Sequence, residues 1–142
     1  MKISTKGRYA LRLMIDLAEH DTGTPVKIKD IAERQGISDK YLEQIIAMLN
    51  KAGMVKSIRG AQGGYRLSQK PSEYTVGMIL RLAEGTLAPA SCVDGDGGCE
   101  RAGKCSTATL WKKMYEAVNG VIDSTTLQDL LDWQQDGESM CL

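Results

Sequence analysis

The stretch Ile28-Lys29-Asp30-Ile31-Ala32-Glu33-Arg34-Gln35-Gly36-Ile37-Ser38-Asp39-Lys40-Tyr41-Leu42-Glu43-Gln44-Ile45-Ile46-Ala47-Met48-Leu49 holds two helical periods separated by a break. From Lys27 to Gln35 the apolar residues Ile28, Ile31 and Ala32 share one face, and Gly36 stops the pattern. Ser38 then offers a hydroxyl to cap a second helix with Leu42, Ile45, Ile46 and Leu49 turned inward, ended by Gly53. Gly36 permits the positive φ that the turn requires, small Ala32 lets the helices approach, and Ile37 fills the angle between them. The pattern is a helix-turn-helix.

The flanking residues extend it. Met54-Val55-Lys56-Ser57-Ile58, then Arg59-Gly60-Ala61-Gln62-Gly63-Gly64, then Tyr65-Arg66-Leu67 read as strand, Gly-rich tip and strand, so a hairpin wing follows the second helix. The glycines do not form a nucleotide-phosphate loop, because no Gly-Lys-Ser/Thr follows and no helix opens after them. On the other side, Ala10, Leu11, Met14, Ile15, Leu17 and Ala18 keep helical spacing after Ser4/Thr5, predicting a helix over about 5–20 that breaks at Asp21-Thr22-Gly23-Thr24-Pro25. Pro71 to Tyr74 links the wing to a helix from Thr75 to Ala83 bearing Val76, Ile79, Leu80 and Leu82.

Residues 86–105 differ in kind: between Cys92 and Cys105 lie four of the fifteen glycines and three of the four cysteines. Such a loop has no core of its own and needs something else to order it. After it, Ser106 or Thr107 is placed to cap a long helix to about Asn119, with apolar rows continuing as Leu110, Met114, Ala117, Val121 and as Trp111, Tyr115, Val118, Ile122. A helix in a small domain needs one apolar face, so two rows point to packing on its own subunit and on a twin. Ser124-Thr125-Thr126 caps a last short helix with Leu127, Leu130, Leu131 and Trp133, and Gln134 to Leu142 reads as frayed.

The chain has 142 residues, 42% of them apolar, enough for one packed domain; without Phe, the packing volume falls to aliphatic residues and seven Met, which suits helices. Eighteen basic and eighteen acidic side chains cancel. Residues 1–75 nevertheless carry 13 Lys/Arg against 8 Asp/Glu, and residues 76–142 carry 5 against 10, so a head of +5 is joined to a tail of −5. That asymmetry is expected where only the head meets a polyanion. No apolar run is long enough to span a bilayer, and Met1-Lys2-Ile3-Ser4 opens no signal-peptide core, which places the chain in the cytoplasm without membrane association. There, cysteines serve metal, redox or packing roles more often than a disulfide framework.

With the second helix of the motif in the major groove, its first turn and exposed face turn Ser38, Asp39, Lys40, Tyr41, Glu43 and Gln44 to DNA. Gln44 suits a bidentate contact to adenine, whereas Ser38, Lys40 and Tyr41 suit phosphates. Glu43 repels phosphate unless it accepts from a cytosine amino group, which makes it a discriminator between sites. Arg59 at the wing tip is placed for a narrow minor groove. The bland alternative is a set of solvated charges on a surface helix.

Cys92, Cys99 and Cys105 have spacing C-x(6)-C-x(5)-C, with none of the short knuckles usual for structural zinc. A Gly-rich wrap around a bulkier object, an iron-sulfur cluster with thiolate ligands, fits the spacing. Thiol redox chemistry, zinc and inert thiols are the alternatives.

Lys6-Gly7-Arg8-Tyr9-Ala10, Arg34-Gln35-Gly36-Ile37-Ser38, Tyr41-Leu42-Glu43-Gln44, Arg59-Gly60 with Gly63-Gly64-Tyr65, and the triple cysteine together resemble the IscR-type regulators of iron-sulfur cluster assembly. These belong to a wider winged-helix family that includes the nitric-oxide sensor NsrR and the cysteine-metabolism repressor CymR. The resemblance runs to about residue 132. It implies a homodimer on a palindromic operator in double-stranded DNA, with Arg59 and Gly60 in the wing contact. It also implies Cys92, Cys99 and Cys105 as ligands of a cluster, 2Fe-2S in preference to 4Fe-4S, with cluster-assembly proteins as further partners. Glu43 is implied to exclude one class of sites in the apo form. Two positions depart from the pattern. Ala108 stands where IscR-type proteins carry His, leaving the fourth ligand unassigned, and Arg8 stands where NsrR-like members use a carboxylate. Cys141 is a candidate fourth ligand, with Ser106, Thr107, water or an external thiol as the alternatives, while His20, near the end of the first helix, reads as a C-terminal cap.

The resulting expectation is a mainly α winged helix-turn-helix protein. Residues 1–74 form the DNA-binding unit, 75–105 the linking helix and cysteine-rich cluster-binding loop, 106–135 the dimerisation helix and short terminal helix, and 136–142 a flexible tail. Its rivals are a CymR-like repressor of cysteine and sulfur metabolism, responding to thiol redox state or a partner protein without a cluster, and an iron-sulfur carrier or scaffold. One His and no paired nucleophile and base leave nothing from which to build an enzyme site.

Overall fold

The structure, a computed structural model, describes residues 1–95, 99–101 and 103–137. Its elements are α1 (Thr5–Glu19), α2 (Ile28–Gln35), α3 (Asp39–Lys51), β1 (Val55–Ile58), β2 (Gly64–Leu67), α4 (Val76–Glu84), α5 (Ser106–Ser124) and α6 (Leu127–Gln135), with short 3-10 turns at Pro71–Glu73 and Ser91–Val93. The fold is mainly helical with one antiparallel hairpin, a winged helix followed by a long C-terminal helix.

Local chemistry explains the boundaries. The Ser4 hydroxyl accepts from the Gly7 N–H at the start of α1, and the Ser38 hydroxyl accepts from the Tyr41 N–H at the start of α3. Gly36, at φ 63°, closes α2 in the left-handed region, and Ile37 beside it is buried. The apolar stripes of α1, α2 and α3 meet in one core: Ala10, Leu13, Met14, Leu17, Ile31, Leu42, Ile45 and Leu49, joined by Val55 and Leu67 from the hairpin. Tyr74 is buried in the same core, and its hydroxyl reconciles burial with polarity by donating to Met54 O (2.6 Å) and accepting from Gln69 N–H (2.9 Å).

The hairpin pairs Val55 with Leu67 and Ser57 with Tyr65. A third segment, not legible in the sequence, joins it: Val26 and Tyr65 exchange both backbone hydrogen bonds, at 2.9 and 2.8 Å. This close approach excludes a side chain at Gly64, whose Cβ would overlap Val26 O.

The expectation for the long helix needs correction at both ends. It is Cys105, not Ser106 or Thr107, that occupies the N-cap, and the helix continues past Asn119 to Ser124. Gly120 does not end it because the turn beyond is held from outside. Ile122 is buried with Val76, Leu80 and Leu87, and the Asp123 carboxylate accepts from Nη1 and Nη2 of Arg81 on α4, at 2.6 and 2.9 Å. The two rows on α5 separate as the pattern requires. Trp111, Tyr115, Val118 and Ile122 are buried or half-buried, whereas Leu110, Met114, Ala117 and Val121 are exposed. Thr126 caps α6, and Leu127 enters the main core, its N–H donating to Tyr74 O.

Candidate nucleic-acid interface and cysteine loop

At the front of α3, Ser38, Asp39, Lys40, Glu43 and Gln44 are exposed together on one face, above the buried Leu42, Ile45 and Ile46. The Ser38 oxygen is engaged as a cap, which leaves its hydroxyl proton free to donate to a phosphate oxygen. Tyr41 is half-buried, its ring edge-on to Tyr9 of α1 with centroids 5.7 Å apart. Arg59 and Gly60 are exposed at the wing tip, which Gly63 N–H closes by donating to Gly60 O at 3.0 Å. Helix face and wing tip are thus two separate exposed patches held by one core.

Sequence reasoning missed what holds α3 at its angle. Asp16 of α1 is completely buried. Arg34 donates to it through Nε (3.0 Å) and Nη2 (2.7 Å), and Gln35 through Nε2 (2.9 Å). Gln35 in turn accepts from Arg12 Nε at 3.1 Å, its carbonyl accepts from Arg12 Nη2, and Arg12 lies over the Tyr9 ring, 5.3 Å from its centroid. The pairing with Asp16 raises the Arg34 pKa above its ordinary value, against the smaller opposing effect of burial. The end of α2 is clamped to α1 just where the chain turns into α3. A legible signal existed: Asp16 sits on the apolar face of its helix, between Leu13 and Leu17.

Between α4 and α5, Cys92 and Cys105 are half-buried and Cys99 is exposed, and none is in a disulfide. Cys105, at the N-cap of α5, has its thiol pKa lowered by the Thr107 hydroxyl, with the Ala108 and Thr107 backbone N–H groups adding to the effect. Its Sγ lies 2.9 Å from Thr107 Oγ1. Ala108 lines a cleft of about 340 Å³ together with Cys92, Thr109, Lys112, Tyr115 and Glu116. Among the described residues no three His, Cys, Asp or Glu side chains are gathered about one point. As donors the three thiols suit an iron-sulfur cluster, being soft, accessible and in one case already held toward thiolate. Cys141 lies outside the described residues, as do 96–98 and 102 of the loop. His20 caps α1, with Nδ1 2.9 Å from Asp16 O.

A sequence profile for iron-dependent transcriptional regulators, the Rrf2 profile, fits residues 3–133. The chain belongs to the Rrf2 family. Its relatives in the family include the HTH-type transcriptional regulator IscR of Aliivibrio salmonicida, 43% identical over 92% of this chain and 77% of the relative. The HTH-type transcriptional regulator CymR of Bacillus subtilis is 44% identical over 97% of this chain and 94% of its own. Among solved structures, IscR of T. potens superposes with a TM-score of 0.79 at 43% identity, covering 100% of this chain and 93% of the other. This Rrf2 protein is accordingly a transcription regulator of a DNA-binding family, and not an enzyme. No helix among its described residues is long and apolar enough to cross a membrane. IscR and CymR stand about equally near, at 43% and 44% identity.

Proposed function

We propose that this Rrf2 regulator is a cytoplasmic homodimer that senses iron-sulfur cluster status and controls cluster-biogenesis genes from a palindromic operator. The observation that carries the reading is the set of three unpaired thiols between α4 and α5, one of them at the α5 N-cap beside the Thr107 hydroxyl. Cys92, Cys99 and Cys105 would hold the cluster, 2Fe-2S in preference to 4Fe-4S. With Ala108 in the cleft beside Cys92, the fourth donor comes from elsewhere, and Cys141 is the remaining thiol of the chain. A bound cluster supplies a reversible, redox- and iron-sensitive cross-link among these thiolates. Cys92, Cys99 and Cys105, tied together by such a group, would hold the 92–105 loop against the start of α5, and the separation of the two recognition helices would then be set near one turn of DNA, about 34 Å. On each protomer Gln44 reads bases, Ser38, Lys40 and Tyr41 engage phosphates, Arg59 and Gly60 enter the minor groove, and Glu43 discriminates among operators. The exposed row Leu110, Met114 and Val121 supports the dimer, because such a row is costly to leave in water.

The test is the iron and sulfide content and the visible and Mössbauer spectra of anaerobically purified wild-type and Cys141→Ala protein. Wild-type protein is expected to contain both elements in cluster stoichiometry, and the variant to show altered spectra or a less stable cluster. Unchanged spectra would remove Cys141 from the ligand set. Negligible iron and sulfide would favour the second reading, a CymR-like thiol-responsive repressor, to which the lowered Cys105 pKa and the alanine at position 108 lend support.

A further inference from the structure

Glu84, the last residue of α4, reaches across to the beginning of α1. Its Oε1 accepts from both the backbone N–H of Ser4 (2.9 Å) and the Ser4 hydroxyl (2.6 Å). The same hydroxyl caps α1 by accepting from the Gly7 N–H at 3.1 Å. The approach depends on Gly7, where a Cβ would overlap Glu84 Oε1. One carboxylate oxygen therefore fixes the cap of α1, and a charge-assisted pair of this kind is about twice as strong as a neutral one.

The two sides of this contact lead in opposite directions. Beyond Glu84 the chain enters the cysteine loop, anchored three residues later by Leu87, which is buried with Val76, Leu80 and Ile122. Ile3, next to Ser4, packs on that same cluster. From Ser4 the first two turns of α1 carry Tyr9, which meets Tyr41 edge-on at the start of α3, and Arg12, which lies over Tyr9 and is bonded to Gln35 at the motif's turn.

We infer that Glu84 is a positioning residue that couples the state of the cysteine loop to the seating of the recognition helix, acting through the Ser4 cap and the Tyr9–Tyr41 contact. The inference rests on the reading that this loop is the sensing element, whichever signal it senses. A shift of Leu87 or Glu84 loosens the α1 cap, and α1 is the surface against which the front of α3 is set. The coupling is a property of side chains, so it is separable from the stability of either element.

The test uses full-length Cys141→Ser protein, with the loop thiols free or alkylated by iodoacetamide, a perturbation independent of the natural effector. Binding is measured to the tightest duplex selected from a randomised DNA pool, and the quantity read is the ratio of Kd values in the two states. Alkylation is expected to change Kd by about tenfold, within the common range of coupling between sites. Glu84→Ala should bring that ratio to about one, whereas Glu84→Gln, whose amide oxygen can still accept from Ser4, should keep most of it. Gly7→Ala displaces Glu84 without loss of helix propensity in α1 and should act like Glu84→Ala. A merely structural role lowers affinity equally in both states and leaves the ratio intact. A ratio in Glu84→Ala and Gly7→Ala equal to that of the Cys141→Ser parent, or equal binding by the free and alkylated parent, would overturn the proposal. Failure of the cluster reading shows separately, as absence of iron and sulfide.

Discussion

Asp16 is the one charged side chain that is fully buried among the described residues, and it is tolerated because Arg34 and Gln35 supply three hydrogen bonds to its two oxygens. Removing the cation leaves the carboxylate buried without its counter-charge. Arg34→Ala should therefore destabilise the fold by about 3 kcal/mol, the low end for a broken buried pair since Arg34 itself remains about a third exposed. Urea denaturation checks this, and a loss near zero would show that Gln35 and relaxation suffice. Cys105 offers a second residue-scale outcome. Its thiol pKa is lowered chiefly by Thr107, so in the metal-free protein it should react with iodoacetamide faster than Cys92 or Cys99 near neutral pH. Thr107→Val should move the pH midpoint of its reaction upward, read cysteine by cysteine by mass spectrometry. Neither feature was legible as such. Asp16 could be placed on an apolar face but not paired, because its partner is eighteen residues away and reached only through the fold.

Among the elements, α4 and α5 are joined by a side-chain latch in which Arg81 bonds both carboxylate oxygens of Asp123 and, at 2.9 Å, Asn119 Oδ1. The hydrogen bonds from Arg81 hold Asp123 below the usual carboxylate range, outweighing a slight opposing desolvation. A carboxylate with a depressed folded pKa contributes its stability fully above the unfolded pKa and loses it as pH falls through the folded value. Asp123→Asn should thus lower Tm at neutral pH, with the difference from wild type shrinking below the usual carboxylate range and vanishing in stronger acid. Both groups are substantially exposed, so the neutral-pH effect should be small and weakened by salt. A difference that persists unchanged in acid would mean the latch acts by packing alone. This latch also explains why the end of α5 was misplaced from sequence: Asn119-Gly120 resembles a stop, and only contact with α4 carries the helix through it.

For the whole molecule, the balanced net charge conceals a basic head and an acidic remainder, and in the structure α3 and the wing both belong to the basic part. DNA affinity should fall steeply with salt despite the neutral total, because the slope counts phosphates neutralised and not protein net charge. Lys40→Ala should weaken binding to all duplexes alike and flatten the log Kd against log salt slope by about two in a dimer, one per protomer. A slope unchanged by Lys40→Ala would place that side chain off the backbone. Much of this protein was readable in its sequence. The helix-turn-helix, the wing, the caps at Ser4 and Ser38, the Gly36 turn and the two rows of α5 all follow from local propensity and periodicity, which act within a few residues. Tertiary structure alone decided the rest. The strand-like pairing of Val26 with Tyr65, the burial of Asp16 against Arg34, the run of α5 to Ser124, the seating of Leu127 in the head's core and the grip of Glu84 on Ser4 all depend on residues far apart in the chain, from 18 positions for Asp16 and Arg34 to 80 for Ser4 and Glu84. Their partners are chosen by which surfaces meet when the helices pack, and no local pattern encodes that choice.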